Sequence, residues 1–544
     1  MRGTRYAEDD EAVPVIEHAA QEPGRRPYHL VLLLVILLGS FLLRFAVVDY
    51  PLGAQGGDGI RDYVVAQHAL AYNEWPINGP PIGFIDGVRN SPAYYYLIIA
   101  IVAVNASFGF LAFGFALLQC ALVAGTFFLG RALFGPVAGL YAALLVGILP
   151  TLIQTSAGFI WQPSVMEPFV VCSFYALVMS LKRSDPRLLV LSIALVLLAC
   201  AIHLSVLGVL PLYAILCGYV GWRVLCGWTE YLGTALITLS IALVLFLPPL
   251  THPTNDHLTL TRTSAPSVGQ ALAPIPASVM PVVSTYLSTY GLRLPLPNSG
   301  RLGEILFIAL TMGIAWYLAA ATISKREKLY VLMLLAFILQ QIIVVALIDP
   351  QGVVRNLDPV IWALPIAIAA LIDAAFRQRS YFIAASALVA VLLLYNLASD
   401  PRVVHAAESI GNLSRPNEVT IDAAASAIAS TARGLRAAHG YPDYRFFGID
   451  ALRSGNYNVE SAVLWEPLEK IFSMPLVTVS DYNGGGLSDL NSNTYVFLGC
   501  FNNGDIYPRS ECLQTFAAQN PTYTVEKTVY DSPQVTVYLT RRVE

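Results

Sequence analysis

The stretch GGDGIRDYVVAQHAL, Gly56 to Leu70, follows directly on the first long apolar run and carries three ionisable side chains close together. On a helix Asp58, Arg61 and Asp62 occupy positions i, i+3 and i+4 and share one face. The plainest role for Asp58 is an N-cap, but capping needs only one acceptor. An acid, a cation and a second acid together suit transfer onto a hydroxyl or amine: a base takes the proton and the cation meets an anionic leaving group. A second acid, Glu167, stands in FIWQPSVMEPF, Phe159 to Phe169, about one turn into an apolar run between Pro163 and Pro168. An ionisable group there is costly and points to function; the plainer alternative is a first-turn acid favoured by the helix dipole. In QGVVRNLDP, Gln351 to Pro359, Arg355 lies beside membrane and calls for an anionic partner, with Asp349 and Asp358 the local alternatives.

These residues are islands in an apolar chain. Of its 544 residues 56% are hydrophobic and 12% charged, with a mean hydropathy of +0.61. That is about half the charge of a soluble domain, so most of the chain has lipid for solvent. The net charge of −4 and the short, scattered basic clusters leave no nucleic-acid footprint. No C-x-x-C pair or compact Cys/His cluster suggests structural zinc. Cys500 and Cys512 lie in a polar region and suit a disulfide if that region faces an oxidising compartment.

Apolar runs long enough to span occur at His29 to Val48, Leu111 to Leu129, Val137 to Ile153, Val165 to Leu181, Tyr231 to Leu250, Ile305 to Ile323, Leu329 to Ile348, Val360 to Ala375 and Tyr381 to Leu397. The run Leu188 to Val220 would exceed a bilayer core of about 30 Å by half, so it reads as two short spans turning near His203. About eleven spans follow. With Arg25 and Arg26 in the cytoplasm, the clusters at Arg131, Lys182 to Arg187, Arg223, Lys325 to Lys328 and Arg377 to Arg379 all land inside. This requires that Tyr94 to Val104 lie in the outer interface as an amphipathic helix and not cross. The first run has no small-residue cleavage site and reads as an anchor. The chain therefore divides into a cytoplasmic tail (1–28), a transmembrane module (29–398) with interfacial helices in the outer loop 49–110, and an extracytoplasmic domain (399–544).

That last domain reads as α/β: a helix at Glu418 to Ala437, a strand at Tyr444 to Ile449, a helix at Ser461 to Phe472, and strands at Leu476 to Ser480 and Thr494 to Cys500. A hairpin closes it, Thr522 to Tyr530 and Val535 to Thr540, turning at Asp531 to Pro533. The NGGG at Asn483 to Gly486 lacks the following helix start of a phosphate cradle and reads as a loop.

Taken in order, GDGIRDY, WPINGPP, RNSPAYYYLIIA, WQPSVMEPF and VVRNLDPVIWALP resemble the GT-C superfamily of membrane glycosyltransferases. The nearest likeness is to the protein O-mannosyltransferases and the lipid A aminoarabinose transferases. The resemblance implies Asp58 as the catalytic aspartate, Arg61 as the arginine of the same helix, and Glu167-Pro168 at the family's Asp-Pro. It places a second interfacial helix start at Ser91 to Leu97, with Tyr94 and Tyr95 against substrate beside Asp62. The family's acid after the aspartate is Gly59 here, and its Glu-Lys is Asn90-Ser91. In lipid A transferases those positions serve a metal and the lipid phosphate, so a divalent metal stays open here and Arg89 or Arg355 replaces the lysine.

The implied activity is transfer of a sugar from a polyprenyl-phosphate donor to a lipid, glycan or protein acceptor on the extracytoplasmic face, by a multi-pass plasma (inner) membrane enzyme with Asp58 as base. A membrane-anchored donor explains interfacial helices, since its phosphate sits at headgroup depth. A transporter or flippase would instead place ionisable groups near the midplane. A non-catalytic cell-envelope assembly protein would work through its C-terminal domain.

Overall fold

The structure is a computed structural model. It describes residues 28–46, 62–63, 65–67, 69–70, 73, 75–80, 90–106, 108–148, 153, 162–225, 227–251, 316, 320, 323–348, 357–377, 383, 418–439, 444–448, 495–501, 513–514, 517, 521–532 and 535–543. The helix Ser461 to Phe472 and the strand Leu476 to Ser480 lie outside those residues, as do nearly all of the expected spans Ile305 to Ile323 and Tyr381 to Leu397.

Among the described residues six helices are long and apolar enough to cross a membrane. They belong to α1 (Tyr28–Ala46), α3 (Phe108–Phe134), α5 (Gln162–Arg183), α8 (Trp228–Thr251), α9 (Lys325–Ile348) and α10 (Ala363–Phe376) with the 3-10 turn Asp358–Val360 before it. Four shorter apolar helices join them: α2 (Ala93–Val104), α4 (Pro136–Ile148), α6 (Pro186–Ile202) and α7 (Leu210–Val224).

The long run Leu188 to Val220 is broken where the sequence suggested. His203 ends α6 in extended backbone, a 3-10 turn Leu204–Gly208 follows, and α7 starts with a proline at its second position. The two helices have 17 and 15 residues, about 25 and 22 Å, so neither alone matches a core of about 30 Å. The corner between them is held by α9: Gln341 Nε2 donates to Ser205 O at 3.0 Å and Gln340 Nε2 to Gly208 O at 2.5 Å. These amides satisfy backbone that lipid could not.

Helix α4 covers Pro136–Ile148 of the expected run Val137 to Ile153, and residues 149–152 lie outside those described. One expectation is corrected. Helix α2 forms where expected but is not amphipathic: AYYYLIIAIVAV has no charged residue, and apolar side chains stand on its exposed side at Val104 as they do on its buried side at Ile98 and Ile99. Its 12 residues reach only about 18 Å, too short to cross.

Helices α3 and α4 form a tight hairpin. Gly135, at φ 109°, supplies the left-handed residue that ends α3, and Pro136 opens α4. A Cβ on Gly139 would lie 2.6 Å from Phe127 O and 2.9 Å from Arg131 N. Both are backbone atoms, so the helices would have to part. Gly139→Ala is expected to cost about 1–3 kcal/mol in thermal melts of the detergent-solubilised protein. Gly218→Ala, where nothing stands within 4 Å, should be neutral or stabilising by up to about 1 kcal/mol.

Basic residues gather at one end of the bundle. Arg377 after α10 bonds Asp373 Oδ2 from Nη2 (2.5 Å) and Nε (3.1 Å), and bonds Glu327 Oε1 of α9 at 2.9 Å. The same guanidinium reaches Phe134 O at the end of α3, where Lys182 of α5 donates to Ala132 O. The ends of α3, α5 and α10 thus meet the start of α9, the alternation that the charge pattern predicts.

In the C-terminal region the helix Glu418–His439 (α11) buries Ala424, Ala425, Ile428, Ala429, Ala432 and Leu435, a stripe at helical spacing. The sheet has strand order β1-β2-β4-β3, formed by Tyr444–Gly448, Tyr495–Phe501, Tyr523–Asp531 and Val535–Arg542. β1 and β2 are parallel and the rest antiparallel, with β3 and β4 as the expected hairpin.

Candidate functional site

The end of the bundle opposite Arg377 holds a buried polar cluster. Glu167, in the second turn of α5, has no solvent exposure. Its Oε2 accepts a hydrogen bond at 3.1 Å from Gln119 Nε2 of α3, and the same amide donates to Ser164 O. Asp358, in the 3-10 turn before α10, is 3% exposed and near enough to Glu167 to repel it.

Two buried carboxylates in range of each other need a counter-charge. Arg44 of α1, fully buried, stands within electrostatic range of Glu167. Its guanidinium donates to Ser40 Oγ at 2.5 Å, to Gly147 O at 2.9 Å and to Val146 O at 3.1 Å. The last two are terminal carbonyls of α4, where the helix dipole favours a cation. Arg44→Leu removes three charge-assisted bonds and the counter-charge together. It should lower stability by about 2–3 kcal/mol, read as the melting shift of the purified protein.

An aromatic floor lies beneath. Phe174, two turns deeper on α5 than Glu167, packs against Phe337, Trp362 and Tyr213 with ring centroids at 4.7, 4.8 and 5.2 Å.

The motifs WPINGPP and RNSPAYYY are joined. Gly79 N donates to Asn90 O at 2.8 Å, and Asn90 returns bonds to Pro80 O from its backbone N (3.0 Å) and its Nδ2 (3.2 Å). Tyr96 OH donates to Pro76 O at 3.0 Å. The departure from the family pattern at Asn90-Ser91 has a structural use: Asn90 fastens the loop, and Ser91 Oγ accepts from Ala93 N at 3.3 Å at the start of α2. Tyr94 and Tyr95 are both buried, their rings 5.9 Å apart.

Asp62 is helical and buried, and the adjacent Tyr63 OH donates to Ala106 O at 2.7 Å, tying this helix to the end of α2. Asp58, Arg61, Arg89, Arg355 and Cys512 lie outside the described residues. Cys500 is disulfide-bonded. Among the described residues no three His, Cys, Asp or Glu side chains assemble as metal ligands. Glu167 and Asp358 would supply two hard oxygen ligands, so a divalent cation would need Asp58 or another residue outside those described.

Gln119 and Arg44 belong to this cluster and are not singled out by motif or spacing. The signal that marks them is a single polar residue inside an apolar run, LLQC and LLRF. Asp358, which the sequence offers as a partner for Arg355, also faces Glu167.

A bundle of apolar helices, with a short helix fastened to an ordered loop and buried acids at one end, defines a class of polytopic membrane protein with its polar site at one membrane face. No family model and no curated protein matches the chain. Among solved structures it is similar to ArnT from Cupriavidus metallidurans bound to undecaprenyl phosphate, at 14% identity, covering 94% of this chain and 97% of that one with a TM-score of 0.52. ArnT in the apo state gives 12% identity, the same coverage and a TM-score of 0.51. The archaeal oligosaccharyltransferase AglB from Archaeoglobus fulgidus, in complex with an inhibitory peptide and a dolichol-phosphate, gives 15% identity, 87% and 69% coverage, and a TM-score of 0.48. The chain shares its fold with the ArnT structures.

Proposed function

We propose that this protein transfers a sugar from a polyprenyl-phosphate donor to a lipid, glycan or protein acceptor at the extracytoplasmic face. The observation that carries this reading is fold similarity over nearly the whole chain to an ArnT structure bound to undecaprenyl phosphate, joined to the buried acid cluster at one end of the bundle. In this reading Asp58 takes the acceptor's proton as the new glycosidic bond forms. The lipid phosphate leaves with the electrons of the broken bond and is met by Arg61 and Arg355, with Arg89 beside them. Glu167 orients the reacting groups from beneath.

Mass spectrometry of cells with and without the protein tests it. The reading expects a sugar to accumulate on polyprenyl phosphate and one surface glycan to lose that sugar; no change in either overturns it. The broken α6–α7 pair favours a second reading, a lipid-linked-sugar transporter. That reading expects purified protein to form no glycosidic bond.

On sidedness, we place the C-terminal domain and Arg44 outside, with Cys500 paired to Cys512. A C-terminal reporter active only in the cytoplasm should be silent, and thiol reagents should label neither cysteine before reduction.

A further inference from the structure

Helix α5 contains two prolines with different consequences. Pro163 is its second residue, where a missing N–H is no loss. Pro168 is inside the helix and cannot donate to the carbonyl four residues earlier, that of Ser164. Gln119, from the neighbouring α3, donates to that carbonyl and to Glu167 Oε2 with one amide nitrogen. An amide NH2 has two hydrogens, one for each bond. The opposite amide orientation would aim an oxygen at a carbonyl and a carboxylate together, so the partners fix it. Glu167 Oε1 and Gln119 Oε1 are both buried without a protein partner.

We propose that Gln119 is the positioning residue of Glu167: its amide replaces the helix donor that Pro168 removes and holds Oε2, leaving Glu167 Oε1 and Gln119 Oε1 to accept hydrogen bonds from a sugar hydroxyl. The proposal rests on the reading of Glu167 as part of the transfer site. It separates two effects that a simple loss of stability would merge. Pro168→Ala restores an N–H to the Ser164 carbonyl and so replaces half of what Gln119 does. It does nothing for the carboxylate.

The experiment compares Gln119→Leu, Pro168→Ala and the double variant, each purified at full length. Three quantities are read: the melting temperature, the infrared carboxyl band that Glu167→Gln deletes, and kcat and KM with a polyprenyl-phosphate sugar. Gln119→Leu is expected to lower the melting temperature, displace the band and reduce kcat by about 10²-fold, the scale of a small misplacement of a reacting group. In the double variant the melting temperature recovers while the displaced band and low kcat remain. An unmoved band in Gln119→Leu, or recovery of band and kcat together with melting, would overturn the proposal and leave Gln119 as backbone support. A displaced band in a protein whose wild type transfers no sugar would keep the positioning role and reject the transferase reading. If Gln119→Leu does not fold, Gln119→Asn, one methylene too short to reach both partners, gives the same comparison.

Discussion

Asp58→Asn is expected to give a folded, membrane-inserted protein whose transfer rate is lower by about 10²–10⁴-fold, the contribution of a positioned general base. Asparagine caps a helix about as well as aspartate, so the change spares the structural role and removes only the capacity to take a proton. Donor affinity should stay near wild type, because the phosphate is held by arginines in this reading. Asp62→Asn should retain more activity. Asp62 is buried and in this reading orients Arg61. Initial rates with a polyprenyl-phosphate sugar, paired with melting curves, decide the matter. Wild-type turnover in Asp58→Asn would leave that residue a helix cap.

Glu167→Gln is expected to lower turnover by about 10²-fold without unfolding the protein. The substituted amide still offers an oxygen to Gln119 Nε2, so the bond seen at 3.1 Å has a replacement. Arg44 keeps its carbonyl partners on α4. Only the charge is lost, and with it the field that this acid exerts on the reacting groups in the proposed reading. Glu167→Ala differs: it leaves Gln119 with an unmet donor and opens a cavity, so it should lower the melting temperature as well. Equal turnover in wild type and Glu167→Gln would leave the residue a structural acid of α5 with no part in transfer.

Much of the architecture is legible in the chain because its causes are local. A 33-residue apolar run cannot be one span, and His203 breaks it. Alternating strand patterns around Asp531 to Pro533 give the hairpin, and alanine spacing gives α11. Glu167 is legible because an acid inside an apolar run stands out. Its surroundings are not, since Gln119 is 48 residues away and Arg44 meets carbonyls 102 and 103 residues away. Such contacts are set by which helices pack together, and no local pattern encodes that. For α2 the charge count around it points to an interfacial element, whereas its own two faces are both apolar.

The glutamine-held corner between α6 and α7 also has a place in time. Ser205 O and its donor Gln341 are 136 residues apart, and Gly208 O and Gln340 are 132 apart. At a synthesis rate of about 5–20 residues per second, the corner leaves the ribosome roughly 7–27 s before its partners exist. During that interval two short helices must enter the bilayer as one hairpin, with carbonyls at their tip that have not yet met their amides. The nascent chain is therefore most dependent on an insertase, or on water held at the membrane surface, between the emergence of His203 and that of Gln341. A ribosome stalled in that interval would expose the corner at its least protected.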